Sequence, residues 1–470
     1  MSTEVPHLDA DGFRRHGHEL VEWVASYLES LDEIPVAAAV EPGWVRSQLP
    51  AKAPAEPEPW EAILADLDRI VLPGVTHWQS PRWFAYFPGN TSPTAVLGEL
   101  VIAGLGQQGM LWSTSPACTE LETVVCDWLV DLLGLPAAFR TDGPGGGVIQ
   151  DSASSATHTA IVVARHRATG GDASRIDQLV AYTSTQAHSS VEKGIRVAGL
   201  AADQLRAIAV DDELRMRPDA LAEAMEADAA AGRIPFLVVP TVGTTSSLAV
   251  DPVAEIAAVA EPHGAWVHVD AAMAGPAGLS PAFRPLVTAG LDRVDSYCFD
   301  PHKWLLTGMD CDVFYVADRR PLLDALSILP EYLRNEASES GAVIDYRDWH
   351  VPLGRRFRSL KLWFVLRSYG ASGLRAMVER HVALAQSLAA RVDGHRALDL
   401  VVPSRLTLVC IAHRDGDAAT QRLLDAVNAT GALVTHTRLF DRLVLRVSVG
   451  QASTDARHVD AVWDAIAGAC

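Results

Sequence analysis

The chain has 470 residues, 49% of them hydrophobic and 21% charged, with a formal net charge of −19. This is the balance of a globular protein with a sizeable core, either about three domains or one large domain with extensions. It excludes a general nucleic-acid or anionic-membrane binder, because both need basic patches and no Lys/Arg run here exceeds two residues.

No apolar run approaches the roughly 20 residues of a membrane span. The opening Met-Ser-Thr-Glu-Val-Pro-His has neither the basic nor the apolar part of a signal peptide, so a cytoplasmic protein is expected. Cysteines 118, 126, 298, 311, 410 and 470 are scattered and read as small core residues in a reducing compartment. The sixteen histidines show no metal-ligand spacing, and no metal is expected.

In chain order, Phe13–Leu31 has the apolar spacing of an amphipathic helix. Pro50, Pro54, Pro57 and Pro59 then forbid a continuous helix, and residues 35–59 read as an extended arm. Helical spacing returns over Trp60–Val71 and stops at Pro73-Gly74. An arm of this kind seldom buries its stripe alone, which points to a partner subunit. An aromatic knot follows: Trp78, Trp83, Phe84, Tyr86 and Phe87, then Pro88-Gly89-Asn90. Such density belongs to a core or lines an aromatic-ligand site. Ser115-Pro116 is a helix start, a cap plus proline at the first position, and the helix runs to Leu133 before Gly134.

From about residue 145 short apolar runs alternate with helical stretches, the pattern of an α/β fold. Expected strands are Gly147–Gln150, Leu179–Thr183, Ala207–Val210, Phe236–Pro240, Trp266–Val269, Ser296–Phe299 and Val313–Val316, with helices such as Pro218–Ala230 and Val253–His263 between them. Seven strands joined by crossovers predict a large, mostly parallel sheet buried on both faces. Leu329–Ile344 has loop composition, with Tyr332 its one aromatic. Helices are expected over Leu353–Tyr369 and Leu374–Val392. A small α+β unit follows, with strands Thr407–Ala412 and Leu443–Val449 and helices Ala418–Thr430 and Asp455–Ile466.

Four features carry chemistry. Lysine occurs only at 52, 193, 303 and 361, while arginine occurs 35 times. Lys303, beside His302 and before apolar Trp304-Leu305-Leu306, is either a snorkelling side chain or an amine kept to form a Schiff base, which arginine cannot do. Gly145-Gly146-Gly147 leads into Asp151-Ser152-Ala153-Ser154-Ser155 at a helix start. That is either a serine cap or a phosphate cradle. Asp270 ends the strand His268-Val269-Asp270, as a cap or as the partner of a buried cation. His188, in Gln186-Ala187-His188-Ser189-Ser190, is structural or stacks on a flat ring. A phosphate cradle, an acid for a ring nitrogen, a stacking imidazole and a Schiff-base lysine are together the requirements of pyridoxal phosphate.

The blocks Pro301-His302-Lys303-Trp304, His268-Val269-Asp270-Ala271-Ala272 and Gln186-Ala187-His188-Ser189-Ser190-Val191-Glu192 resemble the aromatic L-amino-acid decarboxylase family, within the group II pyridoxal-phosphate decarboxylases. So do Ser115-Pro116-Ala117-Cys118-Thr119-Glu120-Leu121-Glu122 and the run from Pro352-Leu353-Gly354-Arg355-Arg356-Phe357 to Lys361. The likeness extends from Phe13 to about Val449. It implies the fold type I, aspartate-aminotransferase-like architecture of pyridoxal-phosphate-dependent transferases. The expected parts are a helical N-terminal arm over 1–85, a large cofactor domain over 86–358 and a small α+β domain over 359–470. It implies decarboxylation of an aromatic amino acid in a homodimer with the site at the interface.

By the same resemblance Lys303 holds the cofactor as a Schiff base and Asp270 pairs with its ring nitrogen. His188 stacks on the ring, and Ala153, Ser154 and His302 belong to the cofactor site. Thr244 lies near the ring substituents, and Gly354 closes the phosphate from the other subunit. Tyr332 is the loop tyrosine that returns a proton to the substrate carbon. Trp78, Tyr86, Pro88, Gly89, Gln108, Met110 and Gly354 are the substrate-pocket positions.

The chain departs from the family at several points. Asp300 stands where animal members commonly have Asn near the phosphate, and its role is open. Asp151 replaces a common Gly, Gly89 a Thr, and Gln108 and Met110 an Ile and a Phe. Gly354 and Gly89 are expected to add room for an indole. The oxygen-dependent aldehyde synthases of the same family typically carry Phe for the loop Tyr or Asn for the stacking His, so Tyr332 and His188 favour simple decarboxylation. A cofactor-less interaction module on the same fold is the other alternative, against which Lys303, Asp270 and His188 all stand.

Overall fold

The computed structural model describes residues 7–328 and 343–470, so Tyr332 lies outside the described residues. All seven expected strands form. They are β1 (Gly146–Gln150), β2 (Leu179–Ser184), β3 (Leu205–Ile208), β4 (Ile234–Val239), β5 (Trp266–Asp270), β6 (Ser296–Phe299) and β7 (Asp312–Val316). They make one sheet in the order β1-β7-β6-β5-β4-β2-β3. Only β7 runs antiparallel to its neighbours, β1 and β6. The remaining pairs are parallel. Their Val-, Ile-, Leu- and Phe-rich runs are buried because helices cover both faces. The shifted strand is β3, expected at Ala207–Val210. Its ladder to β2 starts at Leu205, and Val210 instead bridges Met216. It is an edge strand whose first three residues are not buried, so hydrophobic pattern marks its limits poorly.

The helix Pro116–Leu133 has the expected bounds: the Ser115 side chain accepts from Cys118 N, and Gly134 ends it at φ 70°. The first helix is Ala10–Ser30, capped by Asp9. The helix from Trp60 stays α-helical to Asp66 and then widens into a π-turn over Leu67–Val71. The two helices expected at Leu353–Tyr369 and Leu374–Val392 both form within Arg358–Asp393, separated by the non-helical backbone of Gly370 (φ 63°, ψ 169°). The first begins at Arg358, not at Leu353.

A second sheet follows: β8 (Leu398–Leu400), β9 (Leu408–His413), β10 (Thr435–Leu439) and β11 (Arg442–Ser448), ordered β10-β11-β9-β8 and wholly antiparallel. Hydrophobic pattern misses β8 and β10, the first too short and the second a Thr-His-Thr-Arg run held by its ladder to β11. Between the first helix and the helix Pro93–Leu105 lies an apolar groove of about 750 Å³, where Phe13, Val21, Leu97 and Leu100 are half exposed. Among the described residues no helix is long and apolar enough to cross a membrane.

Two buried histidines tie the layers beneath the site. His268 in β5 pairs through Nδ1 with Ser296 Oγ of β6 (2.9 Å), and His381 Nδ1 accepts from Trp304 Nε1 (3.0 Å). Burial pushes both down to about 3 from an ordinary 6.5. Their stability contribution is therefore complete above pH 6.5 and is lost as pH falls toward 3. His381→Gln keeps an acceptor for Trp304 but removes one titration. Thermal melts across this window are expected to show a shallower acid loss for the variant than for the wild type.

Candidate active site

The carboxyl ends of parallel strands in an open sheet are where ligands bind, and a cavity of about 210 Å³ opens there. Lys303 projects into it from a single helical turn, Pro301–Trp304, that follows β6. The turn is held from both sides. The Trp304 indole is buried against His381. Asn90 Nδ2 donates to Lys303 O (2.8 Å) and to Gly450 O (2.6 Å). Lys303 Nζ lies 2.6 Å from Asp300 Oδ2. Burial alone would lower its pKa, but Asp300 and Asp270 outweigh burial and leave it raised. Scarcity was a fair signal only in part, because Lys361 is also buried and is taken up by Glu99 at 2.5 Å.

Asp270, the last residue of β5, is 5% exposed and lines the cavity. Ala272 N donates to its Oδ1 (3.0 Å), so it caps as well as faces the cavity. Burial pushes its carboxyl up against the pull of Lys303. It is suited to meet a cation carried by a ligand. His188 lines the same cavity from beyond β2. Ser190 N donates to its Nδ1 (3.2 Å), which orients the ring.

The segment after β1 caps a helix and also faces the cavity. Ser152 caps the helix Ala153–Thr169 by accepting from Ser155 N, while Ala153 and Ser154 line the cavity at its first turn. Ala153 N donates to Asp300 Oδ1 (3.1 Å). Asp300 thus lies between the helix start and the lysine, at the positive end of the helix dipole. His302 is buried, with Nδ1 2.7 Å from Cys311 O and Nε2 3.7 Å from Asp300 Oδ2.

Other expected positions lie elsewhere. The Thr244 hydroxyl is turned into its own turn, 2.9 Å from Ser247 Oγ and accepting from Ala249 N, while Thr241 and Thr245 line the cavity. Trp78 stacks on Trp83 (4.0 Å) and Tyr86 (6.0 Å), at the Pro88-Gly89 end of the aromatic knot, and Phe87 reaches the cavity. The room expected at Gly89 is absent, since a Cβ there would lie 3.2 Å from the Trp78 indole. Gln108, Met110 and Gly354 form a separate group that does not line the cavity among the described residues of one chain. Gln108 Oε1 accepts from Arg355 N (2.7 Å), and Met110 O accepts from Arg347 N. Arg355 is in turn locked by a buried ion pair with Glu122 (2.5 Å), whose Oε1 also accepts from Ile149 N in β1.

Sequence reasoning missed two buried charges. Arg446 in β11 donates through Nη2 to Thr245 O (2.6 Å) and through Nε to Ser246 O, with its guanidinium over the Phe87 ring. It binds the second sheet to the cavity wall, and an arginine inside an apolar strand pattern was the available signal. Asp312 opens β7, fully buried.

The cavity suits pyridoxal phosphate: an amine, a buried carboxyl, an imidazole and the first turn of a helix line one space. Comparison with known proteins agrees. The model of the pyridoxal-dependent decarboxylase conserved domain matches residues 42–414. A phenylacetaldehyde synthase of Arabidopsis thaliana is 42% identical, over 98% of this chain and 96% of its own. An aromatic-L-amino-acid decarboxylase of Bos taurus is 43% identical, over 98% and 96%. The crystal structure of an Oryza sativa TDC with PLP and tryptamine superposes with a TM-score of 0.96 at 40% identity, covering 99% of both chains.

Asn90 is the scaffold group that most directly holds the lysine turn. Its replacement by Ala leaves buried carbonyls without donors and is expected to destabilise by about 2–4 kcal/mol. Urea unfolding at fixed protein concentration measures this, and a loss under about 0.5 kcal/mol would mean the turn is held by Trp304 alone.

Proposed function

This chain belongs to the pyridoxal-dependent decarboxylase family, and from that premise we propose that it converts an aromatic L-amino acid to its amine and carbon dioxide. The observation that carries the reading is the convergence of Lys303, Asp270 and His188 on one cavity at the strand ends. Pyridoxal phosphate, when bound, supplies an electrophilic aldehyde and a ring that withdraws electrons from the bond to be broken. Lys303 Nζ would hold it covalently, and the Ala153–Ser154 amides would hold its phosphate. Asp270 would keep a proton on the ring nitrogen, and His188 would form one face of the ring's slot. Tyr332, on sequence resemblance alone, would deliver a proton to the substrate carbon after carbon dioxide leaves.

Several features support a homodimer. The half-exposed groove between the first helix and Pro93–Leu105 is apolar and has no cover among the described residues of one chain. Gln108, Met110 and Gly354 sit away from the cavity of their own chain, as a site completed by a second copy requires. The division into 1–85, 86–358 and 359–470 is retained as the domain reading. Six unpaired cysteines suit the cytoplasm.

Among substrates Trp is placed ahead of Tyr, Phe and dihydroxyphenylalanine. Gly354 has no side chain, and Gly89, filled by Trp78, does not contribute. An aldehyde synthase is the second reading, favoured by the 42% identity to the Arabidopsis enzyme. A panel of L-amino acids assayed for carbon dioxide, amine and peroxide tests all of this. Amine without peroxide, fastest with Trp, is the expected result, and turnover of acidic amino acids alone would overturn the aromatic class.

Lys303→Ala and Lys303→Arg are both expected to abolish carbon dioxide release at saturating cofactor, because a guanidinium cannot take the amine's part. Retained turnover in either variant would remove Lys303 from the mechanism.

Tyr332→Phe separates packing from proton donation, since the ring remains and the hydroxyl is lost. Amine formation is expected to fall by roughly 10²–10⁴-fold while aldehyde, ammonia and peroxide rise. An unchanged amine yield without peroxide would assign the proton to another group.

A further inference from the structure

Three carboxyls, Asp270, Asp300 and Asp312, are buried around the single amine of Lys303. Asp300 is well supplied with donors, since Ala153 N meets Oδ1 and Lys303 Nζ meets Oδ2. Asp312 has none. It stands at the start of β7 opposite Gln150 of β1, is 0% exposed, and neither carboxyl oxygen has a hydrogen-bond donor among the described residues. The antiparallel register of β6 and β7 pairs Phe299 with Val313 and so sets Asp300 opposite Asp312 one residue further on, where the two carboxyls interact. Two carboxylates in contact in a dry site repel, whereas two carboxyls with one proton between them form a hydrogen bond.

The surrounding groups leave no other balance. His302 faces Asp300 Oδ2 at 3.7 Å, and burial, against the pull of Asp300, lowers its pKa, so it is neutral near pH 7. Burial pushes the Cys298 and Cys311 thiols up, so they are neutral too. Lys361, further off, is paired with Glu99. Lys303 already serves Asp300 and Asp270. Burial and then Asp300 push the Asp312 carboxyl far up, while at Asp300 burial is outweighed by Lys303 and its other neighbours together, which hold that carboxyl low. Asp312 is thus the member that keeps the proton.

We propose that Asp300 and Asp312 are a one-proton carboxyl pair, a positioning device that lets a carboxylate sit at the helix start beside a bound phosphate with one negative charge instead of two. This rests on the reading that the cofactor's phosphate occupies the Ala153–Ser154 turn. The Asp312 proton holds Asp300 toward Lys303, and its loss at high pH places a second charge next to the phosphate and weakens cofactor binding.

Two measurements test it. Infrared pH-difference spectra of the apoprotein are expected to show a protonated-carboxyl band near neutral pH that disappears in Asp312→Asn, independently of any cofactor. Titration of apoprotein with pyridoxal phosphate is then followed by visible absorbance over a pH series. Above the pair's upper pKa, wild-type affinity is expected to fall relative to Asp312→Asn by up to about tenfold per pH unit, because the amide in that variant donates without titrating. Should Asp312→Asn not fold, Asp300→Asn removes the repulsion on Asp312 and is expected to move the break to lower pH. Absence of the infrared band, parallel affinity curves, or an unmoved break in Asp300→Asn would each overturn the proposal. A wild type that binds no pyridoxal phosphate at any pH would overturn the cofactor reading and the role given to the pair, while the infrared band would still report the shared proton.

Discussion

The site depends on one electrostatic constraint: an ammonium is held against several buried carboxyls where the parallel strands end. Lys303 Nζ lies 2.6 Å from the buried Asp300, while the lysine side chain stays 28% exposed. Unit charges even 4 Å apart attract by about 4 kcal/mol at the effective dielectric of a protein surface, and more strongly inside. Such a pair stabilises only when both members are locked, because an unmatched buried charge costs about 3–5 kcal/mol. The scaffold does the locking. Trp304 is pinned by His381, Asn90 grips the lysine carbonyl, and Ala153 N meets the far oxygen of Asp300. Each contact joins elements far apart in the chain, so the amine's position is a property of the whole fold.

The second sheet takes part in the same constraint. Arg446 reaches from β11 to the carbonyls of Ser246 and Thr245, and Asn90 is bound to Gly450 and Ala452 at the end of that strand. The wall of the cavity is therefore fixed from both sheets. Gln108, away from the cavity, accepts from Arg355, which is locked to Glu122 and through it to Ile149 of β1, so this group is tied into the first sheet.

Much of this was legible along the chain. Strand runs with both faces apolar, a serine-proline helix start before Cys118 and a glycine at 134 act within a few residues of themselves, so their meaning survives without a fold. Lys303, Asp270 and His188 were legible because each directly follows or ends such a strand, and strand ends in parallel sheets face one crevice. The edge strand β3, the short β8 and the polar β10 were not, since their identity comes from a ladder partner and not from their own pattern. The surroundings of Thr244 and Gly89 were not legible for a related reason. The use of a hydroxyl, or of the space above a glycine, is set by neighbours that the chain brings in from elsewhere, here Ser247 and Trp78.

By itself, then, the sequence determined the fold class and the cofactor chemistry, because these follow from local pattern and from motif blocks carried almost intact. Only the tertiary structure decided which charges share a space. Asp312 lies nine residues beyond Lys303 and looks like one more acid in an acidic chain. The antiparallel pairing of β6 and β7 brings it against Asp300, and burial then turns two ordinary acids into a pair with room for one charge.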